Sequence, residues 1–296
     1  MFTDNHKHYN YPENVHVKYL TFDELRKQFQ EKFDFPLTLT KPYKLCDYKP
    51  AYGYVFEHLI EEFEWWGYCD CDVIFGDLWG MLAPLLEETY DKLFAVGHLT
   101  LFRNTPENNR RFMQESSGKS FYKRAFQEER NCWFDEDYWS EEFRAESIHK
   151  IYSDMGARLY TTDISFNLAV SYSQFIRTVY VGGDERFRDL PFERALYYWE
   201  DGRLMRMLVQ NGRLVSEHYL YMHFQGRNMR FNESVLGEHR IQIYPNGFRK
   251  LKMLPESVEE WKRLTRYSPN FHKIQWKWKM LRKHVAKARA KKSGQT

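Results

Sequence analysis

Two carboxylates spaced i, i+2, Asp70 and Asp72, follow the aromatic run Trp65-Trp66-Gly67-Tyr68-Cys69 and lead into Val73-Ile74-Phe75-Gly76-Asp77. The run is rich in β-formers and stops at a glycine, so it predicts one buried strand over 65–77. Residues two apart on a strand share a face, which would make Asp70 and Asp72 converge at its C-terminal end. Open α/β sheets bind ligands at such ends. Two hard oxygen ligands there suit Mn²⁺ or Mg²⁺ shared with the phosphates of a substrate. A second Asp-x-Asp, Asp135-Glu136-Asp137, is predicted in an exposed polar loop. The bare pattern is a weak signal. What separates the first pair is its apolar context, where unpaired carboxylates are costly to bury.

His223 ends the β-like run Tyr221-Met222-His223. His218, five residues away, would face the other side of an unbroken strand. Lys44, Asp47 and Lys49 cluster where a helix is predicted to start, and a helix N-terminus with nearby lysines attracts anions. Zinc patterns, phosphate loops, nucleophile elbows and dinucleotide glycine fingerprints are absent from the sequence.

The elements that must position these residues are read from periodicity and caps. A strand is predicted at 15–20, then a helix begun by Thr21 with Glu24 completing a capping box. Phe22, Leu25, Phe29 and Phe33 give that helix one apolar face. A second helix is predicted over 47–63, burying Val55, Phe56, Leu59, Ile60 and Phe63, with Pro50 in its first turn. Asp77 caps the next helix, and a β segment is predicted over 93–103. Thr105-Pro106-Glu107 and Ser140-Glu141-Glu142 read as further helix starts. From Phe175 onward, Gly182-Gly183, Asp201-Gly202, Asn211-Gly212 and Asn246-Gly247 predict antiparallel hairpins with strands at 195–199, 204–209, 214–224 and 241–244. The expectation is one continuous α/β domain over 1–260, a mixed sheet flanked by helices with β-hairpins in its C-terminal half.

The segment 261–296 reads as a basic, helical tail. It holds 12 Lys and Arg and no Asp or Glu, which leaves 32 basic against 41 acidic residues in 1–260, a net of −9. An acidic body with a basic tail carrying Trp276, Trp278, Met280 and Leu281 points to an anionic membrane surface ahead of nucleic acid. No apolar run approaches the roughly 20 residues needed to span a bilayer. The polar N-terminus has no signal-peptide core, and cysteines 46, 69, 71 and 132 form no Cys-x-x-Cys pair. Reduced thiols in a cytoplasmic protein, peripheral on the inner face of the membrane, are expected.

Tyr43-Lys44-Leu45-Cys46-Asp47-Tyr48-Lys49-Pro50-Ala51-Tyr52-Gly53, Trp66 to Asp72, Phe75-Gly76-Asp77, Gly97-His98-Leu99-Thr100-Leu101-Phe102-Arg103-Asn104 and Tyr221-Met222-His223-Phe224-Gln225 together resemble an uncharacterised family of bacterial glycosyltransferase-like proteins of polysaccharide biosynthesis. The resemblance extends to about residue 255. More distantly, the layout is similar to GT-A enzymes with an Asp-x-Asp motif. It implies a GT-A-like, Rossmann-like sheet, Mn²⁺ or Mg²⁺ held by Asp70, Asp72 and His223, and a nucleotide-sugar donor contacted by Lys44, Asp47, Lys49 and Asp70. The implied acceptor is a glycan or a lipid-linked oligosaccharide. An inverting transferase needs a base to take the acceptor's proton, and Asp135, Glu136 and Asp163 are the candidates. Met1-Phe2-Thr3-Asp4 resembles the end of the family's second strand, so a first strand is expected to be missing and its slot filled by residues 1–10 or by another chain. Two other readings of the same aspartates are a non-catalytic glycan-binding or assembly protein, and a metal-dependent phosphotransferase or nuclease.

Overall fold

Thr21 starts the first helix, Phe22–Gln30, by accepting from the Glu24 amide while Glu24 returns a bond to the Thr21 backbone. That reciprocal cap fixes the helix so that Phe29 and Phe33 enter an aromatic core with Tyr48, Phe56, Phe112 and Phe126. Tyr48 stacks on Phe126 with ring centroids 4.1 Å apart. The structure is a computed structural model that describes residues 1–137, 146–266 and 270–292.

The helix expected over 47–63 is instead a series of short turns: Pro42–Lys44, Leu45–Tyr48, Lys49–Ala51, Tyr52–Val55 and Glu57–Leu59. Pro50 lacks an N–H and crowds the preceding turn, and Gly53 weakens any helix that includes it. Gly53 is there for a packing reason, since a Cβ on it would lie 2.3 Å from the Trp66 indole. Val55 and Phe56 are buried as expected, but Phe63 is exposed.

The strand expected over 65–77 also divides. Trp65–Cys69 pairs antiparallel with Leu99–Arg103, while Val73–Phe75 belongs to another sheet. Aspartate is a poor strand residue, and 70–72 form the connection between the two. Lys92–Leu93 and Leu159–Tyr160 complete the four-stranded sheet, the latter pair in parallel. Residues 94–98 interrupt the segment expected to be continuous over 93–103. Phe2–Thr3 pairs with Lys18–Tyr19 in a separate two-stranded sheet. Thr105 caps Pro106–Arg110 as expected, with proline at the first turn. The helix start at Ser140-Glu141-Glu142 lies outside the described residues.

The hairpin signals of the second half are met. Asp201-Gly202 and Asn211-Gly212 both have positive φ at each position, 44° and 86°, then 50° and 75°. That is the primed-turn conformation that matches strand twist. The resulting antiparallel sheet runs Arg213–Tyr219, Arg203–Gln210, Leu196–Glu200, Arg240–Tyr244, Gly247–Lys250. The strand expected over 214–224 breaks at Leu220, whose amide donates to the Ile164 carbonyl at 3.0 Å. Tyr221–His223 then joins a second five-stranded sheet, in the order Arg186–Asp189, Arg177–Gly182, Phe166–Leu168, Tyr221–His223, Val73–Phe75. Phe166, Phe175, Tyr197, Leu204, Met222 and Phe224 share one core. Asp77 caps Leu78–Leu86, accepting from the Gly80 amide at 2.8 Å.

The architecture is mixed α/β. By compactness the chain forms two units that interleave in sequence: Met1–Cys69 with Thr89–Thr161, and Asp70–Glu88 with Thr162–Thr296. The divisions therefore fall inside 1–260. Helices Val258–Leu264 and His272–Lys292 form the C-terminal part of the second unit. Among the described residues no helix is long and apolar enough to cross a membrane.

Candidate metal centre

Strand register in the second unit explains why three distant residues meet. His223 lies opposite Val73 in an antiparallel pair and opposite Asn167 in a parallel one. The Phe224 amide donates to the Asp72 carbonyl at 2.9 Å, which places Asp72 at the end of that ladder. The Asp70 and Asp72 carboxylates and the His223 ring then offer ligand atoms that all lie within 4.8 Å of one another. His223 Nε2 is 3.2 Å from Asp72 Oδ1 and 3.6 Å from Asp70 Oδ2. The histidine is buried, while the two aspartate side chains are 29% and 39% exposed, so the cluster is closed behind and open in front.

The other ring nitrogen fixes the orientation of the ring. His223 Nδ1 lies 2.9 Å from Asn167 Oδ1, an acceptor, so Nδ1 donates there and Nε2 is the ring atom that faces the carboxylates. Asn167 Oδ1 also accepts from Gln225 Nε2 at 3.0 Å. This is the supporting arrangement that metal-bound histidines use. Gln225 and Gly226 turn the chain with positive φ, 54° and 63°, and the Gly226 amide donates to Asp72 Oδ2. The hydrogen bond from His223, with that from Gly226, holds the Asp72 carboxyl down at about 2 despite partial burial. The acid is therefore ionised throughout the physiological range. Two carboxylates and an imidazole with open positions suit Mn²⁺, and Mg²⁺ less well because of the nitrogen.

Asn167 and Gln225 were not singled out by the sequence. Nothing in Ser165-Phe166-Asn167-Leu168 announces a partner for His223. The signal is the parallel register of 166–167 on 222–223, which is long-range. His218 is separated from His223 by the break at Leu220 and belongs to a different sheet.

Lys44, Asp47 and Lys49 are placed differently from the expectation. Instead of facing an anionic ligand, all three are buried in the first unit. Lys44 Nζ donates to Asp47 Oδ2 at 2.7 Å and to the Arg130 carbonyl at 2.5 Å. Asp47 accepts from the Cys132 amide at 2.9 Å and from the Phe134 amide at 3.1 Å. Lys49 donates to Asp135 Oδ2 at 2.9 Å and to the Gly97 carbonyl at 2.8 Å. A buried charge must find its partners inside the protein, and these tie residues 130–135 to the 42–51 turns.

The loop predicted to be polar and exposed is consequently enclosed, with Asp135 and Asp137 buried. Glu136, half-buried, accepts from the Gly97 amide at 3.3 Å. Asp163, in the second unit, takes bonds from the Ser165 amide at 2.9 Å, the Ser165 hydroxyl at 2.6 Å and the Tyr180 amide at 2.9 Å. Asp135 is thus held in an ion pair and Asp163 in three hydrogen bonds, and both side chains anchor the chain around them.

None of the four cysteines forms a disulfide, and Cys69 and Cys71 are exposed beside the aspartates in sequence. Burial, with Asp47 nearby, pushes the Cys132 thiol up to about 12.

No curated protein and no solved structure matches the chain. Residues 1–252 match DUF6625, a family of unknown function. The match covers most of the sequence, and the chain belongs to that family.

Proposed function

We propose that the protein is a metal-dependent glycosyltransferase that moves a sugar from a nucleoside-diphosphate donor, a UDP-sugar, to a glycan or lipid-linked glycan acceptor. The observation that carries this reading is the convergence of Asp70, Asp72 and His223 at a sheet edge, with Asn167 fixing the imidazole. A divalent ion bound there supplies charge neutralisation for a leaving diphosphate. Asp70 and Asp72 offer the hard oxygens, His223 Nε2 the third ligand, and their open side leaves room for phosphate oxygens. Asn167 keeps the histidine ring correctly turned. The reading includes the GT-A-like arrangement implied by the sequence resemblance. It is supported by an Asp-x-Asp that leaves one strand and enters the next, followed by the helix capped by Asp77.

A donor screen tests it. Nucleotide-sugar turnover measured with and without Mn²⁺ should appear for at least one donor and need the ion. Metal binding without turnover of any donor would leave the site standing and remove the transferase. Cleavage of nucleic acid or lipid phosphate without sugar transfer would replace it with phosphoryl chemistry.

A further inference from the structure

The helix His272–Lys292 has two opposed faces. Its start is fixed to the body of the second unit: His272 Nε2 bonds the Val170 carbonyl at 2.8 Å and the Lys273 amide donates to Ser173 Oγ at 3.3 Å. His272, Trp276 and Met280, spaced i, i+4, i+8, are half-buried along one side. At 100° per residue the opposite side carries Phe271, Ile274, Trp278, Leu281 and Val285. These five recur at intervals of three and four and fall within one narrow arc. They are exposed by 68, 53, 59, 55 and 42%, which is unusual for a contiguous row of large apolar side chains.

Charge says what covers this row. Lys273 and Lys277 flank it on one side, Lys279 and Arg282 on the other, and the sequence has no acidic residue after Glu260. Three-and-four spacing also suits a helical dimer, but such dimers set opposite charges beside the seam. A second copy of this helix would bring lysine against lysine. An anionic bilayer surface satisfies both features, taking the apolar row into the headgroup boundary and the cations onto lipid phosphates. We propose that this helix lies in the plane of an anionic membrane, with Trp278 at the centre of the buried row. The inference is independent of the chemistry proposed for the metal centre.

Flotation of the full chain with lipid vesicles tests it. Binding should occur on vesicles containing roughly one-third phosphatidylglycerol in phosphatidylcholine, fail on phosphatidylcholine alone, and weaken with salt. Trp278→Ser with Leu281→Ser should lower partitioning on the order of 100-fold. Lys273→Glu with Lys277→Glu should lower it at least about tenfold. The altered side chains are exposed, so the melting temperature should hold. Should it fall instead, a blue shift of tryptophan emission on adding vesicles to the unaltered chain, lost in Trp278→Phe, reads the same contact. Equal binding by the Trp278 and Leu281 variant, or no binding by the unaltered chain to either vesicle, overturns the proposal. A solution dimer that Leu281→Ser dissociates, with no vesicle binding, would assign the row to a second copy.

Discussion

His223 and Asn167 stand opposite one another on adjacent parallel strands, and the 2.9 Å contact between Nδ1 and Oδ1 decides which ring nitrogen faces the aspartates. Removing the acceptor frees the ring to turn. Asn167→Ala should weaken Mn²⁺ binding by about 10–100-fold in calorimetric titration while the fold persists. Asn167→Asp keeps an acceptor and should restore most of the affinity. Unchanged affinity in the alanine variant would end the orienting role.

At the proposed metal site, Asp70→Asn and Asp72→Asn would each remove one hard ligand. Each should abolish the rise in melting temperature that Mn²⁺ with UDP produces, since stabilisation by a ligand follows its affinity. Variants that keep the full rise would place the ion somewhere else.

Lys92 is buried, and burial pushes its ammonium down to about 7, with Asp137 and Asp135 opposing the shift. Between that value and the ordinary 10.5 the unfolded chain binds a proton that the folded chain does not. Stability should therefore rise with pH across this window, by on the order of a few kcal/mol. Lys92→Met should flatten the rise in urea unfolding measured from neutral to alkaline pH. A parallel rise in both proteins would acquit Lys92.

Asp47→Ala strands the Lys44 charge and the Cys132 and Phe134 amides in the first unit's core. The cost should be about 3–5 kcal/mol in denaturant unfolding. Lys44→Met with Asp47→Ala should recover only part of it, because the two amides still lack an acceptor. Full recovery would mean that the charge pair alone mattered.

Gly53→Ala drives a methyl group into the Trp66 indole. Overpacking there should cost about 1–3 kcal/mol and alter tryptophan fluorescence. A neutral substitution would show that the ring can move aside.

The parts legible in the sequence were those decided locally. Thr21 with Glu24, Asp77 before its helix, and the Asp201-Gly202 and Asn211-Gly212 turns each need only a few neighbouring residues. The aspartate pair was also visible, because acids inside an apolar run stand out, whereas His223 was named through the family resemblance. Lys44 and Lys49 were not readable in the same way. Whether a lysine beside a helix start meets a ligand or its own protein depends on chain more than 80 residues away, at Arg130 and Asp135. The same distance hid the burial of Asp135, and a parallel strand contact hid Asn167. The divisions at Asp70 and Leu220 escaped because hydropathy reports that a residue is buried, not which sheet receives it.

The break at Leu220 separates what this protein can change from what it must keep. The two turn glycines, Gly202 and Gly212, have open space where a side chain would go. Their hairpins can grow or shrink among relatives without shifting His223, whose strand belongs to the other sheet. Between Leu220 and His223 the tolerance vanishes. One inserted residue there would rotate the histidine to the opposite face and away from both Asn167 and the aspartates. Length variation within the family should therefore collect at the hairpin tips and spare those four positions.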